Sequence, residues 1–235
     1  MKRGRIEVVL FDMDGVIFEG KNFWLDLHHA YGTAEEGVRL ADDLMLRDYD
    51  ELAEHVAGRL WKGRPAAAYL RLIAERRYSE GVRDVFGFLR ANEVKTAIVS
   101  SGPYELALRA QADLGVDAVR ANRLHIHEGL LTGGVDLGMR EADKAAVGKE
   151  VAASLGGSLR DAAFVGDSDG DVELARQAKV AIAYDTRSAA LKSVEGIHVL
   201  PKGKLADLIP ILAPCIHPRS PTDKARAGNA ATSHL

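Results

Sequence analysis

The chain has 235 residues, 47% hydrophobic and 28% charged, enough to bury one large core or a core carrying a smaller insertion. Its net charge of -3 leaves no electrostatic footprint for nucleic acid, and no stretch approaches the roughly 18 to 20 apolar residues of a membrane span. A single cysteine, Cys215, excludes an internal disulfide and suits a reducing cytoplasm, and the basic start Met1–Arg5 leads straight into a short strand rather than the apolar core of a signal peptide.

Val8-Val9-Leu10-Phe11 is a short apolar run that ends in Asp12-Met13-Asp14-Gly15, the pattern of a fully buried parallel strand running out at its carboxyl end. Ligands of open α/β sheets bind outside such strand ends. Alternation along an extended backbone would point Asp12 and Asp14 the same way, and two like charges held that close call for a divalent cation or a shared proton. A solvated Asp-x-Asp-Gly turn is the plainer reading of these residues alone.

From Asn22 to about Tyr78 the periodicity is helical and no strand is evident. Segments around Trp24–His28, Leu40–Met45, Tyr49–Trp61 and Ala66–Tyr78, the last opened by Pro65, predict four short helices inserted as a bundle after the first strand. Trp24, Trp61 and Tyr69 are expected to form the core of that insert, which reads as a cap over residues 16–80.

Beyond Gly81, helices and strands alternate, predicting right-handed crossovers and a doubly wound, Rossmann-like parallel sheet over residues 1–15 and 81–213. Helix Val82–Ala91 precedes strand Val94–Ser100. Ser100-Ser101-Gly102-Pro103 then offers a hydroxyl at a strand end and backbone N–H groups at the start of a helix, Pro103–Leu114, where an oxyanion is stabilised. A strand at Asp117–Ala121 is followed by a hairpin-like stretch around Glu128-Gly129. Lys144 opens the next helix, where a cation opposes the macrodipole, so something other than helix stability would hold it there.

Strand Ala162–Val165 ends in Gly166-Asp167-Ser168-Asp169-Gly170-Asp171, an acidic cluster without the spacing of a helix–loop–helix calcium site. Helix Asp169–Gln177 and strands Val180–Ala183 and His198–Leu200 complete the sheet, and residues 214–235 read as a disordered tail.

In combination, Asp-x-Asp-Gly, the strand-end Ser, the isolated Lys and Gly-Asp-x-x-x-Asp resemble the haloacid dehalogenase superfamily, in the branch similar to phosphoserine phosphatase. Ala121-Asn122-Arg123-Leu124 and Gly129-Leu130-Leu131-Thr132-Gly133 resemble the stretch joining two of its motifs. The resemblance implies a Mg²⁺-dependent phosphomonoesterase acting on a small phosphorylated metabolite. In it Asp12 is the nucleophile, and Asp14 the general acid and base. A carboxylate oxygen of Asp12, the backbone carbonyl of Asp14 and the side chain of Asp167 bind Mg²⁺; Ser100, Ser101, Gly102 and Lys144 bind phosphate, and Asp171 supports them from behind. The family's cap arginine and glutamate are unmatched: Glu54 and His55 fall at the former position and Lys21 near the latter, leaving Glu19, Arg47, Arg59 and Arg64 as possible substitutes. A phosphotransferase or mutase, or a noncatalytic binding protein on the same core, is the alternative.

Overall fold

The computed structural model describes residues 5–216. Strand β1 (Val8–Phe11) is buried on both faces, as its unbroken apolar run requires. Its residues alternate between two cores: Val9 and Phe11 face one, Val8 and Leu10 the other. The chain then turns around Met13, whose carbonyl accepts from the N–H groups of Ile17 and Phe18, while Gly15 takes the positive φ of 76° that the turn needs.

Four helices follow: α1 (Phe23–Tyr31), α2 (Ala34–Leu44), α3 (Tyr49–His55) and α4 (Ala67–Glu75). Asn22 and Asp48 cap α1 and α3 with their side chains, and α3 widens into π-type turns over Val56–Trp61. Helix α5 (Val82–Ala91) returns the chain to the sheet through β2 (Lys95–Pro103), α6 (Tyr104–Leu114), β3 (Ala118–His127) and β4 (Leu130–Asp136). The second half runs α7 (Lys144–Ser154), β5 (Ala162–Gly166), α8 (Val172–Gln177), β6 (Val180–Tyr184), α9 (Ala189–Lys192), β7 (His198–Leu200) and α10 (Ile209–Leu212).

The seven strands lie in the order β4-β3-β2-β1-β5-β6-β7, parallel except for β4, which pairs antiparallel with β3 across the Glu128-Gly129 turn. This is the doubly wound α/β sheet the sequence predicts, and β1 sits at its centre between β2 and β5. Strand order reverses beside β1, so the ends of β1, β2 and β5 share the crevice where such folds bind ligands.

Three expectations change. Strand β2 runs on to Pro103, so Ser101 and Gly102 are extended backbone upstream of α6 rather than its first turn. The antiparallel strand pair is longer than a local hairpin and reaches the helical insert: Gly63 donates to Leu131, Leu131 to Arg64 and Ala66 to Gly129, all through backbone at 2.8–2.9 Å. Residues 213–215 form a 3₁₀ turn whose Cys215 carbonyl accepts from Ile6, and Ile216 is buried, so the expected tail does not begin at 214; residues 217–235 lie outside the described region.

Candidate active site

The carboxyl ends of β1, β2 and β5 deliver Asp12, Ser100 and Asp167 to one side of the sheet, and the start of α7 brings Lys144 to meet them. All four are buried. Lys144 Nζ lies 2.9 Å from Asp12 Oδ1 and 2.5 Å from Asp171 Oδ1, so two carboxylates hold the ammonium that the helix macrodipole disfavours. Burial works against the Lys144 cation, but Asp12, Asp171 and Glu141 outweigh it and hold its pKa well above the usual lysine value.

Asp171 is fully enclosed, and its other oxygen accepts from Asp167 N at 2.7 Å, Ser168 N at 2.8 Å and Ser168 Oγ at 3.0 Å. These bonds make a capping box at the end of β5 and lock the acidic loop against Lys144. The Gly166 position admits no side chain here, since a Cβ would sit 2.5 Å from the Asp171 carboxylate.

Asp14 lies in the turn after β1, beyond the extended backbone, so simple strand alternation does not set its direction; the turn around Met13 leaves it lining the same cavity as Asp12. Its carboxylate accepts from Phe23 N at the start of α1 and from Arg76 Nη2, both at 3.0 Å. Burial raises its pKa, opposed by the Arg76 charge and the Phe23 N–H. Arg76 also bonds Asp26, so one guanidinium spans the insert and the end of β1.

Ser100 Oγ accepts from Gly102 N at 3.2 Å, whereas the Ser101 hydroxyl donates to Glu141 and its carbonyl accepts from Trp24 Nε1 and Asn122 Nδ2. Ser101 thus anchors the walls of the site through its side chain and carbonyl. Asn122 extends that scaffold, with its Oδ1 accepting from Met139 N.

Asp12, Asp167 and Asp171 can each offer a carboxylate oxygen within 4.8 Å of the others. Burial pushes Asp12 up to about 8, against Lys144, and Asp167 up to about 6, against Lys21. Three buried acids exceed the positive charge that Lys144 supplies, and Lys21 Nζ is drawn to Asp167 Oδ2 at 2.8 Å. This all-oxygen donor set fits a hard divalent cation such as Mg²⁺. Because Asp171 is committed to Lys144 and to the loop N–H groups, the carboxylates left for the cation are Asp12 and Asp167.

These groups occupy one end of a cavity of about 720 Å³, a volume suited to a small organic ligand. Asp12, Asp14, Ser100, Ser101, Gly102, Lys144 and Asp167 all line it. Trp24 and Trp61 line it too, so the insert's tryptophans are cavity wall as well as core; Tyr69 is core alone, fully buried and donating to Glu105. Of Glu19, Arg47, Arg59 and Arg64, only Arg47 reaches the cavity, and Glu19 is paired with Arg77 outside it.

Arg76, Glu141 and Lys21 are the polar residues that sequence reading did not place at the centre. Arg76 and Glu141 carry no local motif, and Lys21 stands out in the sequence only as a mismatch near an expected glutamate.

The profile of the haloacid dehalogenase-like hydrolase family matches residues 9–176. The phosphoserine phosphatase of Archaeoglobus fulgidus is 28% identical over 193 residues, which cover 80% of this chain and 55% of that one. That of Wolinella succinogenes is 28% identical over 183 residues, 76% of this chain and 87% of the relative. A solved phospho-aspartyl intermediate analogue of phosphoserine phosphatase superposes with a TM-score of 0.76 at 23% identity, covering 88% of this chain and 99% of its own. A substrate-bound phosphoserine phosphatase superposes with a TM-score of 0.75 at 22% identity, covering 90% of this chain and 100% of its own.

Proposed function

Because the chain belongs to the haloacid dehalogenase-like hydrolases, as a phosphatase of their phosphoserine-phosphatase-like branch, we propose that it is a Mg²⁺-dependent phosphomonoesterase that works through an aspartyl phosphate on Asp12. The observation that carries this reading is the buried Lys144 bridge between Asp12 and Asp171, set beside Asp167, Ser100 and Asp14 in one cavity.

Asp12 is the nucleophile. Lys144 orients its carboxylate through Oδ1, and attack on phosphorus forms the Asp12–phosphate bond while the ester oxygen leaves. Asp14 gives its proton to that oxygen, for which a carboxyl with a raised pKa is suited, then takes a proton from the water that cleaves the acyl phosphate and releases inorganic phosphate. Ser100 Oγ and Lys144 Nζ are placed to hold the phosphoryl oxygens as charge shifts between attacking and leaving groups. Asp12, Asp167 and the Asp14 backbone carbonyl would hold Mg²⁺, which neutralises charge on the transferring group. Asp171 keeps Lys144 and the loop at Asp167 and Ser168 in place.

The helical insert over 16–80 serves as a cap on the core of 1–15 and 81–213, and the protein acts on small phosphorylated metabolites in the cytoplasm, in keeping with its lone cysteine and charge. Among the described residues, no helix is long and apolar enough to cross a membrane.

The test is phosphate release from p-nitrophenyl phosphate, phosphoserine and sugar phosphates, with and without Mg²⁺, using Asp12→Asn as control. Release that needs Mg²⁺ and is lost in the variant supports the reading. Activity retained by Asp12→Asn would refute Asp12 as the nucleophile, and transfer of phosphate to a sugar rather than water would favour the phosphotransferase alternative.

A further inference from the structure

We propose that the alcohol released from the substrate is apolar and uncharged, selected by the wall that Trp24, Met45, Leu52, Val56 and Trp61 contribute to the cavity that holds the carboxylates. The inference rests on the proposed phosphomonoesterase for its phosphate end only; the apolar end is argued from the cavity itself.

Leading away from Asp12, the cavity passes between hydrocarbon and aromatic side chains, with Leu124 and Val135 from the β3–β4 pair completing the wall. Trp61 is almost wholly buried, and Trp24 lies 5.9 Å from it between ring centroids, its one polar atom spent on the Ser101 carbonyl. Leu46 and Val38 also line the cavity while 75% and 45% exposed, so an apolar lip continues the wall to the surface. Exposed apolar side chains continuous with a cavity mark a place where an apolar group is to be covered.

Apart from Asp42, an exposed residue that also lines the cavity, the charged groups along this wall are already engaged. Arg47 pairs with Asp43 at 3.2 Å, Lys21 with Asp167 and Asp185, and Glu141 accepts from Ser101. His28 packs at a tilt against Trp61, 4.6 Å between ring centroids, with Nδ1 2.8 Å from Thr33 Oγ1, and burial lowers its pKa, so it adds a neutral ring. An amino-acid leaving group would bring an ammonium and a carboxylate into this wall, and burying charges without partners is costly. A hydrocarbon group of the same size gains from every methylene it buries.

The experiment measures kcat/KM for n-alkyl phosphates from ethyl to octyl, kept below their aggregation concentrations, beside phosphoserine and p-nitrophenyl phosphate. The expected result is a rise of about fourfold per methylene while the chain remains inside the cavity, with phosphoserine below butyl phosphate. Leu46→Glu, at an exposed position that folding does not depend on, is expected to lower the octyl-to-ethyl ratio several-fold.

A flat or falling series, or phosphoserine turned over better than octyl phosphate, overturns the inference while Mg²⁺-dependent release from p-nitrophenyl phosphate leaves the phosphatase reading intact. Should no ester be hydrolysed, that reading fails instead, and n-alkylphosphonates titrated against the fluorescence of Trp24 and Trp61 decide the inference: tightening with chain length upholds it, and no length dependence overturns it.

Discussion

Arg76, at the end of the helical insert, donates Nη2 to Asp14 Oδ1 at 3.0 Å, tying the residue cast as general acid to that insert. Both side chains are nearly buried, 11% and 12% exposed, so the pair is shielded from solvent screening. Removing the cation would leave the Asp14 carboxylate with only the Phe23 N–H for a partner of comparable strength.

Arg76→Met is therefore expected to cost about 3 kcal/mol of stability, the scale on which breaking a buried pair is felt. The Asp14 pKa, already raised by burial, should rise further once the opposing charge is gone. Steps that need the Asp14 carboxylate would then fail at higher pH, moving the acidic limb of kcat upward. Urea unfolding and a pH–rate profile check the two effects separately; an unmoved acidic limb would remove Arg76 from any part in tuning Asp14.

Strand ends were legible in the sequence because apolar runs stop abruptly at acids, and that alone brings Asp12 and Asp167 together just past the ends of the paired strands β1 and β5. Lys144 was legible because a lysine at a helix start is electrostatically out of place. Arg76 was not, since its partner lies 62 residues away and a charged residue at a helix end has an ordinary surface explanation. Trp24 and Trp61 recur with helical spacing whether they face a core or a cavity, so periodicity could not separate the two. The extension of β2 through Gly102 was hidden because Ser-Gly-Pro has the composition of a turn.

Asp171 is predicted to matter more for stability than its distance from the substrate suggests. It satisfies two backbone N–H groups, a hydroxyl and the Lys144 ammonium from a fully buried position. Asp171→Ala should cost about 3–5 kcal/mol, leaving Lys144 with Asp12 alone and two buried donors unpaired. Asp171→Asn, which retains an acceptor, should recover part of that loss in denaturant titrations. Equal stability of the two variants would show that charge, not loop capping, is what the residue supplies.

Metal-free protein should lose stability as pH rises. The carboxyl groups of Asp12 and Asp167 have pKa values raised to about 8 and about 6 in the folded state, from an ordinary value of 3.8. Between these limits the folded state holds protons that the unfolded state has released, so their contribution is fully present below about pH 4 and declines through the folded pKa values. Mg²⁺ competes with those protons and binds the ionised form, so its stabilising effect should grow across the same interval. At about 100 times its Kd the ion adds roughly 2.7 kcal/mol. Thermal melts with Mg²⁺ and with EDTA at about pH 5 and pH 8 read this directly; an equal Mg²⁺ shift at both would mean these acids do not bind it.

Gly102 separates room for chemistry from room for folding. A Cβ there would stand 2.5 Å from Met13 Cε, 3.3 Å from Ser100 Oγ and 3.5 Å from Asp14 Oδ2. The tightest of these neighbours is the free end of a flexible side chain, which can turn aside, and Gly102 is not among the glycines with positive φ. Gly102→Ala should therefore change stability by less than about 1 kcal/mol. The methyl group would nevertheless stand between the Ser100 hydroxyl, proposed to hold the phosphoryl oxygens, and the Asp14 carboxyl, proposed to protonate the leaving oxygen. A displacement of about 1 Å at such a centre lowers kcat/KM on the order of 10²-fold. Gly15→Ala is the contrasting case: its φ of +76° strains any side chain and its Cβ would fall 2.5 Å from Asp167 Oδ2, so stability and activity should fall together. Steady-state kinetics beside thermal melts distinguish the two, and a Gly102→Ala enzyme with undiminished kcat/KM would mean that the phosphoryl group passes elsewhere in the cavity.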